Sequence, residues 1–247
     1  MTILITGASS GIGRALALSY AKQNNHLILL ARRKNLLDEL AIEIESKGAT
    51  TQTIEIDLSN LKSVHEISKS LNAPELIILN AGISLGHGSQ FSTLEEFTNL
   101  MNVNFLSIHA LLEPLIPKLK SKSKIVFISS LASLFSMPSS IAYSSSKRAI
   151  NSYAQGLRLY LKPKNINVIN ILPGFIDTEL TQKNNFSMPL LMNLEKATSR
   201  IVKAIEKNRA CNPFPKRFYI FIRLLTFLPH FLRDRIVLSI NKNKGVM

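Results

Sequence analysis

The stretch that decides the fold class is TILITGASSGIG, residues Thr2–Gly13. A short run of β-branched and aliphatic residues, Thr2–Thr6, leads into a turn with the spacing G-x-x-x-G-x-G, and a helix-like pattern follows near Arg14. Glycines at a strand-to-helix turn let the backbone approach a pyrophosphate, which the unpaired N–H groups of the helix then bind. The stretch therefore predicts a dinucleotide site. Its expected contacts are Gly7, Ser9, Ser10, Gly11, Ile12, Gly13 and Arg14.

The alternation of strand and helix patterns continues along the chain. The predicted strands are Thr2–Thr6, His26–Leu30, Thr51–Ile56, Glu75–Leu79, Lys124–Ser129 and Asn165–Leu172. The predicted helices are Gly11–Asn24, Lys34–Lys47, Asn60–Leu71, Leu94–Leu119 and Ile141–Leu161. Because each parallel connection needs a crossover, this alternation predicts one α/β domain: a doubly wound, Rossmann-like parallel sheet with helices on both faces.

The composition is that of a globular protein, with 247 residues, 46% of them hydrophobic, and a formal net charge of +14. Cys211 is the one cysteine, so it has no partner for an internal disulfide or a thiolate metal site. We therefore expect a reducing, cytoplasmic location and no bound metal. No basic region precedes the first apolar run, and a signal peptide is not expected.

The end of the second predicted strand indicates which dinucleotide binds. A carboxylate at this position accepts hydrogen bonds from the ribose of NAD, whereas an arginine accommodates the extra phosphate of NADP. The chain has no acid there and carries Arg32 and Arg33, with Arg14 as a further candidate guanidinium. The sequence favours NADP(H) over NAD(H). In the alternative interpretation, the arginines only solvate the start of a helix.

Tyr143 and Lys147 are four residues apart on a predicted helix, so they share one face. An ammonium group beside a phenol is expected to lower the phenol pKa toward the range of a general acid or base. Tyr160 and Lys164 have the same spacing, but Pro163 between them disrupts a helix interior. We therefore predict Tyr143 as the functional tyrosine. It follows the strand that delivers Ser130 to the ligand-binding edge of the sheet.

Several ordered motifs in residues 1–180 together resemble the short-chain dehydrogenase/reductase family. The Thr6–Gly13 loop resembles the family's TGxxxGxG motif, and Asp57-Leu58 resembles its adenine contact. Asn80-Ala81-Gly82 resembles the NAG motif that steadies the sheet. Pro173-Gly174 and Thr178 resemble the residues that meet the nicotinamide and its carboxamide.

The resemblance also supplies a catalytic set, Asn104, Ser130, Tyr143 and Lys147, in the family's order and spacing. It implies hydride transfer between NADP(H) and a carbonyl or alcohol, with Tyr143 as general acid and base. Ser130 would bind the carbonyl oxygen, and Lys147 would hold the nicotinamide ribose and lower the Tyr143 pKa. Asn104 would hold a water that relays protons to Lys147. The resemblance also implies a homo-oligomer, a dimer or a tetramer.

Residues 175–196 are expected to form a lid over the nicotinamide and the substrate. Its apolar members predict a hydrophobic carbonyl or alcohol substrate, although they are equally compatible with packing against the core. They are Phe175, Leu180, Phe186, Met188, Pro189, Leu190, Leu191 and Met192.

The C-terminal part is unusually basic, since residues 203–247 contain ten Lys or Arg and two Asp or Glu. We predict a catalytic domain over residues 1–210 and a basic amphipathic extension over 211–247. Helical spacing over 216–235 places the cations on one side and residues such as Phe218 and Ile222 elsewhere, which is typical of an interfacial helix. Peripheral binding to an anionic membrane and packing on the domain or a second subunit remain equal alternatives. Nucleic acid is not expected, because no stacking platform is visible.

Two functions are compatible with the sequence. The first is an NADP(H)-dependent oxidoreductase acting on a hydrophobic carbonyl or alcohol. The second is a non-catalytic NADP(H)-binding sensor or membrane-associated scaffold. The complete Asn, Ser, Tyr and Lys set favours the enzyme, because a sensor needs no acid beside the nicotinamide.

Overall fold

Seven parallel strands form one sheet in the order β3-β2-β1-β4-β5-β6-β7 in a computed structural model, which describes residues 1–85, 91–182 and 188–242. The strands are β1 (Thr2–Thr6), β2 (His26–Ala31), β3 (Thr50–Glu55), β4 (Leu76–Leu79), β5 (Lys124–Ile128), β6 (Asn167–Pro173) and β7 (Cys211–Phe214). The predicted fold class is confirmed. The strand order reverses between β1 and β4, and ligands bind open α/β sheets at such a point.

Helices connect the strands and cover the sheet. They are α1 (Gly11–Ser19), α2 (Lys34–Glu45), α3 (Leu61–Ser70), α4 (Leu94–Met101), α5 (Ser107–Leu115), α6 (Ile141–Leu161), α7 (Glu179–Gln182), α8 (Leu194–Glu206), α9 (Lys216–Phe227) and α10 (His230–Lys242). Short 3₁₀ turns follow α5 and α6 and precede α6.

The core lies in two layers, one on each face of the sheet. Ile3 and Ile5 of β1 point to the layer covered by α1, α2 and α8, whereas Leu4 points to the layer covered by α3, α5 and α6. All three side chains are fully buried. Burial on both faces explains why β2, β4 and β5 read as nearly continuous apolar runs rather than as an alternating pattern.

The predicted helix Leu94–Leu119 is interrupted in the structure. A π-helical turn at Asn102–Leu106 separates α4 from α5, and a 3₁₀ turn at Ile116–Lys118 follows α5. π-helical turns inside α-helices are frequent at functional sites. This turn carries Asn104.

The C-terminal segment differs from the predicted extension in two respects. Cys211–Phe214 is the seventh strand of the sheet, paired with β6, so the predicted boundary at residue 210 cuts off part of the sheet. The predicted continuous helix over 216–235 breaks at Leu228, whose backbone is extended before Pro229. Residues 243–247 lie outside the described part. Among the described helices, none is long and apolar enough to span a bilayer.

The inner face of α9 packs on the domain. Ile222 is buried in a small cluster with Leu131 and Leu172, and Leu225 is also buried. For this face, the structure favours the packing alternative. The outer face of α9, formed by Ile220, Leu224 and Phe227, is exposed, and Phe221 between the two faces is half exposed.

Candidate active site

The glycine loop adopts a backbone that other residues rarely adopt. Gly7 and Gly11 have φ of +66° and +52°, a region that strains L side chains. Gly13 packs so closely that an added Cβ would lie 2.2 Å from the carbonyl oxygen of Gly7. The side-chain amide of Asn80 donates hydrogen bonds to the carbonyl oxygens of Thr6 and Gly7, at 3.1 and 3.2 Å. Asn80 therefore ties the end of β4 to the loop.

A cavity of about 370 Å³ opens at the carboxyl ends of the central strands. The predicted cofactor residues that line it are Gly7, Ser9, Ser10, Gly11, Ile12, Arg32, Arg33, Asp57, Leu58, Asn80, Ala81, Gly82, Tyr143, Lys147, Pro173, Gly174 and Thr178. Ser10 precedes α1 without capping it through its side chain, so the first N–H groups of α1 keep no side-chain partner there. These features fit a dinucleotide, with the uncapped helix start available for its pyrophosphate.

Arg14 does not lie among these lining residues. Its guanidinium pairs with Glu43 of α2 at 2.6 Å, because the fourth residue of α1 faces α2 rather than the cavity. The structure therefore gives no support to Arg14 as a cofactor contact, which stays a prediction. Arg32 lies near Asp57, whose pKa is lowered chiefly by the hydrogen bond from the Ser59 backbone and to a smaller extent by the Arg32 charge.

Three predicted catalytic side chains meet at one end of this cavity. Tyr143 and Lys147 lie near the start of α6, and Lys147 Nζ is 5.6 Å from the centroid of the Tyr143 ring. The Tyr143 phenol shares a side-chain hydrogen bond with Ser130, which follows β5. Ser129 does not take that position, because its hydroxyl donates to Asn151 Oδ1 at 2.8 Å. The second Tyr-Lys match is not part of the site, since Tyr160 is exposed and absent from both cavity linings.

The pKa shifts differ from the sequence-based expectation. Burial raises the pKa of Tyr143 above its ordinary value, and the hydrogen bond with Ser130 opposes this only in part. Burial lowers the pKa of Lys147 from 10.5 to about 8. Lys147 is not among the causes of the shift, so the expected lowering of the phenol pKa by Lys147 is not seen. At neutral pH Tyr143 keeps its proton, as a proton donor must.

Asn104 is fully buried and lies behind the cavity rather than in its lining. Its Oδ1 accepts from the Ile83 backbone at 2.7 Å, and its Nδ2 donates to the Ile83 carbonyl and to Ser146 Oγ. A Cβ added to Gly82 would lie 3.4 Å from Lys147 Nζ and 3.5 Å from Asn104 Oδ1. Gly82 thus leaves the space between them open. The water relay stays a prediction.

A network of polar side chains, which was not predicted from the sequence, lies next to the catalytic residues and contacts the backbone of Ser130. Asn151 Oδ1 accepts from Ser129 and from Asn170 Nδ2, both at 2.8 Å, and its Nδ2 donates to Ser133 at 2.5 Å. Ser133 in turn donates to the carbonyl oxygen of Ser130. The network joins α6 to β6 and to the turn after β5. No motif signals it, because Asn and Ser are common on exposed surfaces.

A second, apolar cavity of about 290 Å³ adjoins the first. The two cavities share Ser130, Tyr143, Gly174, Leu180 and Thr181. The further apolar walls come from the turn after β5, the lid and α9, through Phe135, Met137, Phe175, Pro189, Phe218, Phe221, Ile222 and Leu225. The contribution of α9 to this cavity was not predictable from the sequence, because helical spacing does not reveal which element a helix face packs against.

The predicted lid divides into residues that line cavities and residues that do not. Phe175, Leu180 and Pro189 line the apolar cavity, Met192 is buried in the core, and Leu190 and Leu191 are exposed. Phe186 lies outside the described residues. Within the described ranges, no group of three or more His, Cys, Asp and Glu side chains is arranged to hold a metal ion.

The parallel sheet, the glycine loop and the paired cavities define a dinucleotide-binding protein of the Rossmann class. The family model for short chain dehydrogenases matches residues 1–188, and the chain belongs to the short-chain dehydrogenase/reductase family of oxidoreductases.

Individual relatives agree with this assignment. An "Uncharacterized oxidoreductase" of Myxococcus xanthus (strain DK1622) is 31% identical over 239 residues, which cover 94% of each chain. A short-chain dehydrogenase from Sphingobium yanoikuyae in complex with NADPH has a TM-score of 0.80 and 25% identity, over 93% of this chain and 96% of that one. A family member from Burkholderia phymatum in complex with NAD has the same TM-score and 21% identity, over 91% and 92%.

Proposed function

We propose that this protein is an NADP(H)-dependent oxidoreductase that interconverts a carbonyl and an alcohol on a hydrophobic substrate. The observation that carries the proposal is the meeting of two cavities at Ser130 and Tyr143. One cavity has a mixed polar and apolar lining and is bounded by the glycine loop, and the other is mostly apolar. A substrate in the second cavity would present its reacting carbon to a nicotinamide in the first, with the phenol beside it.

In the reductive direction, a bound nicotinamide cofactor supplies hydride to the carbonyl carbon. Ser130 Oγ and Tyr143 Oη donate hydrogen bonds to the carbonyl oxygen, which orients the substrate and stabilises the charge that develops. Tyr143 Oη then gives its proton to that oxygen, so one hydride and one proton convert the carbonyl to an alcohol. Lys147, protonated below about pH 8, holds positive charge close to the phenol. In oxidation the same groups act in reverse.

The preference for NADP(H) rests on charge at the end of β2. Arg32 is exposed, lines the dinucleotide cavity and has no hydrogen bond with any residue in the described ranges. Its guanidinium is therefore available to a phosphate, and such pairs are strong and geometrically selective. No acidic side chain occupies positions 31–33 to bind ribose hydroxyls instead.

The substrate class follows from the lining of the apolar cavity. Its described polar side chains are Ser84, Ser130, Ser139, Ser140, Tyr143 and Thr181, and none of the described lining residues is charged. An uncharged substrate loses less hydration free energy on entering this cavity than an anion does. We propose an uncharged, mostly apolar aldehyde or ketone, or the corresponding alcohol.

The test is NADPH oxidation by the purified full chain against a panel of aldehydes and ketones of increasing apolar size, with matched carboxylate-bearing analogues. The proposal requires turnover that rises with apolar size and is weaker for the carboxylates. A folded protein that binds NADPH but turns over none of the panel would favour the alternative, a sensor or scaffold without chemistry.

We further propose a cytoplasmic protein that associates peripherally with anionic membrane through the outer face of α9. Phe227 is 76% exposed and Leu224 is 62% exposed, with Arg217 on the same side of the helix. Apolar insertion and basic attraction add in such binding. Co-sedimentation with anionic liposomes at low salt should fall when Leu224 and Phe227 are both changed to Ser. Leu159→Ser on α6 serves as the control, because Leu159 is also an exposed apolar residue, at 55%.

Unchanged sedimentation of the double variant, or none by the wild type, would contradict the membrane proposal. A dimer or tetramer also stays a prediction, and light scattering on the purified chain measures it directly. Nucleic acid is not proposed as a partner.

A further inference from the structure

An ion pair in the lining of the dinucleotide cavity joins the lid to the end of β2, and the same arginine also reaches the glycine loop. Arg33 Nη1 donates to Glu179 Oε2 at 3.0 Å. The same guanidinium donates to Ser9 Oγ from Nε and Nη2, at 3.3 and 3.2 Å, and to Ser10 Oγ from Nη2 at 2.5 Å. All four residues line the cavity. One side chain thus links the end of β2, the glycine loop and α7.

The lid and the glycine loop also lie close together at Gly11 and Thr178. A Cβ added to Gly11 would lie 3.5 Å from the side chain of Thr178, the residue before Glu179. Thr181 Oγ1 donates to the carbonyl oxygens of Ile176 and Thr178 and accepts from the Thr178 backbone. These bonds fix the backbone around α7, so Glu179 is presented to Arg33 from an ordered turn rather than from a loose loop.

The two arginines at the end of β2 are therefore in different situations. Four of the contacts just described use Arg33 donors, and the Glu179 carboxylate neutralises its charge at close range. Arg32 has no hydrogen bond within the described part of the chain. A carboxylate beside Arg33 also repels a phosphate that approaches it. Arg33 is thus poorly placed to select NADP(H), whereas Arg32 makes no hydrogen bond or ion pair with a carboxylate in the described ranges and has only the charge of Asp57 in its neighbourhood.

We propose that Arg33 and Glu179 form a clasp that retains a bound dinucleotide, and that this clasp does not distinguish NADP(H) from NAD(H). Glu179 becomes a positioning residue of the cofactor site that no motif indicated. The inference rests on the proposed function only in requiring that the cavity bind a nicotinamide dinucleotide. Because the clasp joins α7 to the glycine loop, a dinucleotide held between them leaves faster when the pair is broken.

The experiment measures dissociation of NADPH and NADH from the full chain by stopped-flow displacement, following nicotinamide fluorescence. The variants are Glu179→Ala, Arg33→Ala and their combination, with Asp177→Asn as a matched control. Asp177 is an exposed carboxylate on the same lid that accepts from Gln182 rather than from Arg33. We expect each single change to speed release of both cofactors about two- to fivefold, the size expected of an exposed ion pair.

The combined variant should release both cofactors no faster than the faster single variant, because the two residues act as a pair. The ratio of NADPH to NADH affinity should stay unchanged, as should the rates of Asp177→Asn. Unchanged rates in Glu179→Ala would overturn the clasp, and so would slower release of NADPH alone, which would mean that Glu179 opposes the 2′-phosphate. A folded chain that binds neither dinucleotide would overturn the proposed function as well.

Discussion

Lys147 Nζ lies 5.6 Å from the centroid of the Tyr143 ring and donates a 3.0 Å hydrogen bond to the carbonyl oxygen of Ile128. The bond fixes a buried ammonium group beside a phenol that shares a hydrogen bond with Ser130. Burial shifts the two pKa values in opposite directions, upward for Tyr143 and downward for Lys147 to about 8. Both groups therefore carry their protons at neutral pH, which suits reduction.

The first prediction concerns pH. As the pH rises through about 8, Lys147 loses its proton and its positive charge beside the phenol. We expect kcat/KM for carbonyl reduction to be level between about pH 6 and 7.5 and to fall about tenfold per pH unit above about 8. Stopped-flow or steady-state rates over pH 6–10 measure this. A level profile up to pH 9.5 would contradict the role given to the Lys147 charge.

The second prediction concerns stability. The unfolded chain holds the Lys147 proton up to about pH 10.4, whereas the folded chain releases it near 8. Because the unfolded state binds more protons between these values, the stability contributed by this group rises with pH across that window. Lys147→Met should therefore stabilise the fold by about 1–3 kcal/mol at pH 7 while abolishing turnover.

That stabilisation should shrink toward zero as the pH approaches 10. Urea unfolding of both proteins at pH 7 and pH 10 gives the comparison. A Met variant that is less stable than the wild type at pH 7 would show that burial of this ammonium group does not cost the fold stability.

The third prediction separates the two arginines at the end of β2. Arg32→Ala removes the unpaired guanidinium, so NADPH binding should weaken about tenfold or more while NADH binding changes less than twofold. Arg33→Ala should weaken both cofactors to a similar, smaller extent. Titration calorimetry with each cofactor provides the four affinities. A shift in preference produced by Arg33→Ala alone would reverse this assignment.

The fourth prediction concerns α9, whose inner face forms part of the apolar cavity. Ile222→Ala should lower the free energy of unfolding by about 2–4 kcal/mol, because Ile222 is 7% exposed and packs on Leu131 and Leu172. It should also raise KM for apolar substrates. Leu224→Ala on the exposed face should change stability by less than about 0.5 kcal/mol. Equal effects of both changes would mean that α9 does not dock as described.

Local sequence was sufficient for the parts of the site that local geometry determines. The glycine loop follows from backbone conformation, and the Tyr143–Lys147 pair follows from helix periodicity, so both were predictable and both line the cavity. The sequence also predicted that Tyr160 is not the functional tyrosine, and its position on the surface agrees with this. For the glycine loop and for both Tyr-Lys pairs, the residues that determine the local backbone geometry lie within a few positions of one another.

What the sequence did not reveal depends on contacts between distant segments. Arg14 faces Glu43 because of how α1 sits against α2, which no local pattern encodes. Glu179 meets Arg33 across 146 positions. The strand Cys211–Phe214 is four residues long and contains a proline, so its membership in the sheet comes from pairing with β6 rather than from its own propensity.

The central claim is that Tyr143 donates the proton in a hydride-transfer reaction, and one comparison tests it most directly. NADPH oxidation with the best carbonyl substrate is measured for the wild type, Tyr143→Phe and Tyr160→Phe, alongside NADPH affinity for each. Tyr143→Phe keeps the ring but removes the proton donor, so turnover should fall at least about a hundredfold with NADPH affinity nearly unchanged. Tyr160→Phe, a change on the exposed surface of the same helix, should retain full turnover. Equal turnover in the two variants, or undiminished turnover in Tyr143→Phe, would contradict the account.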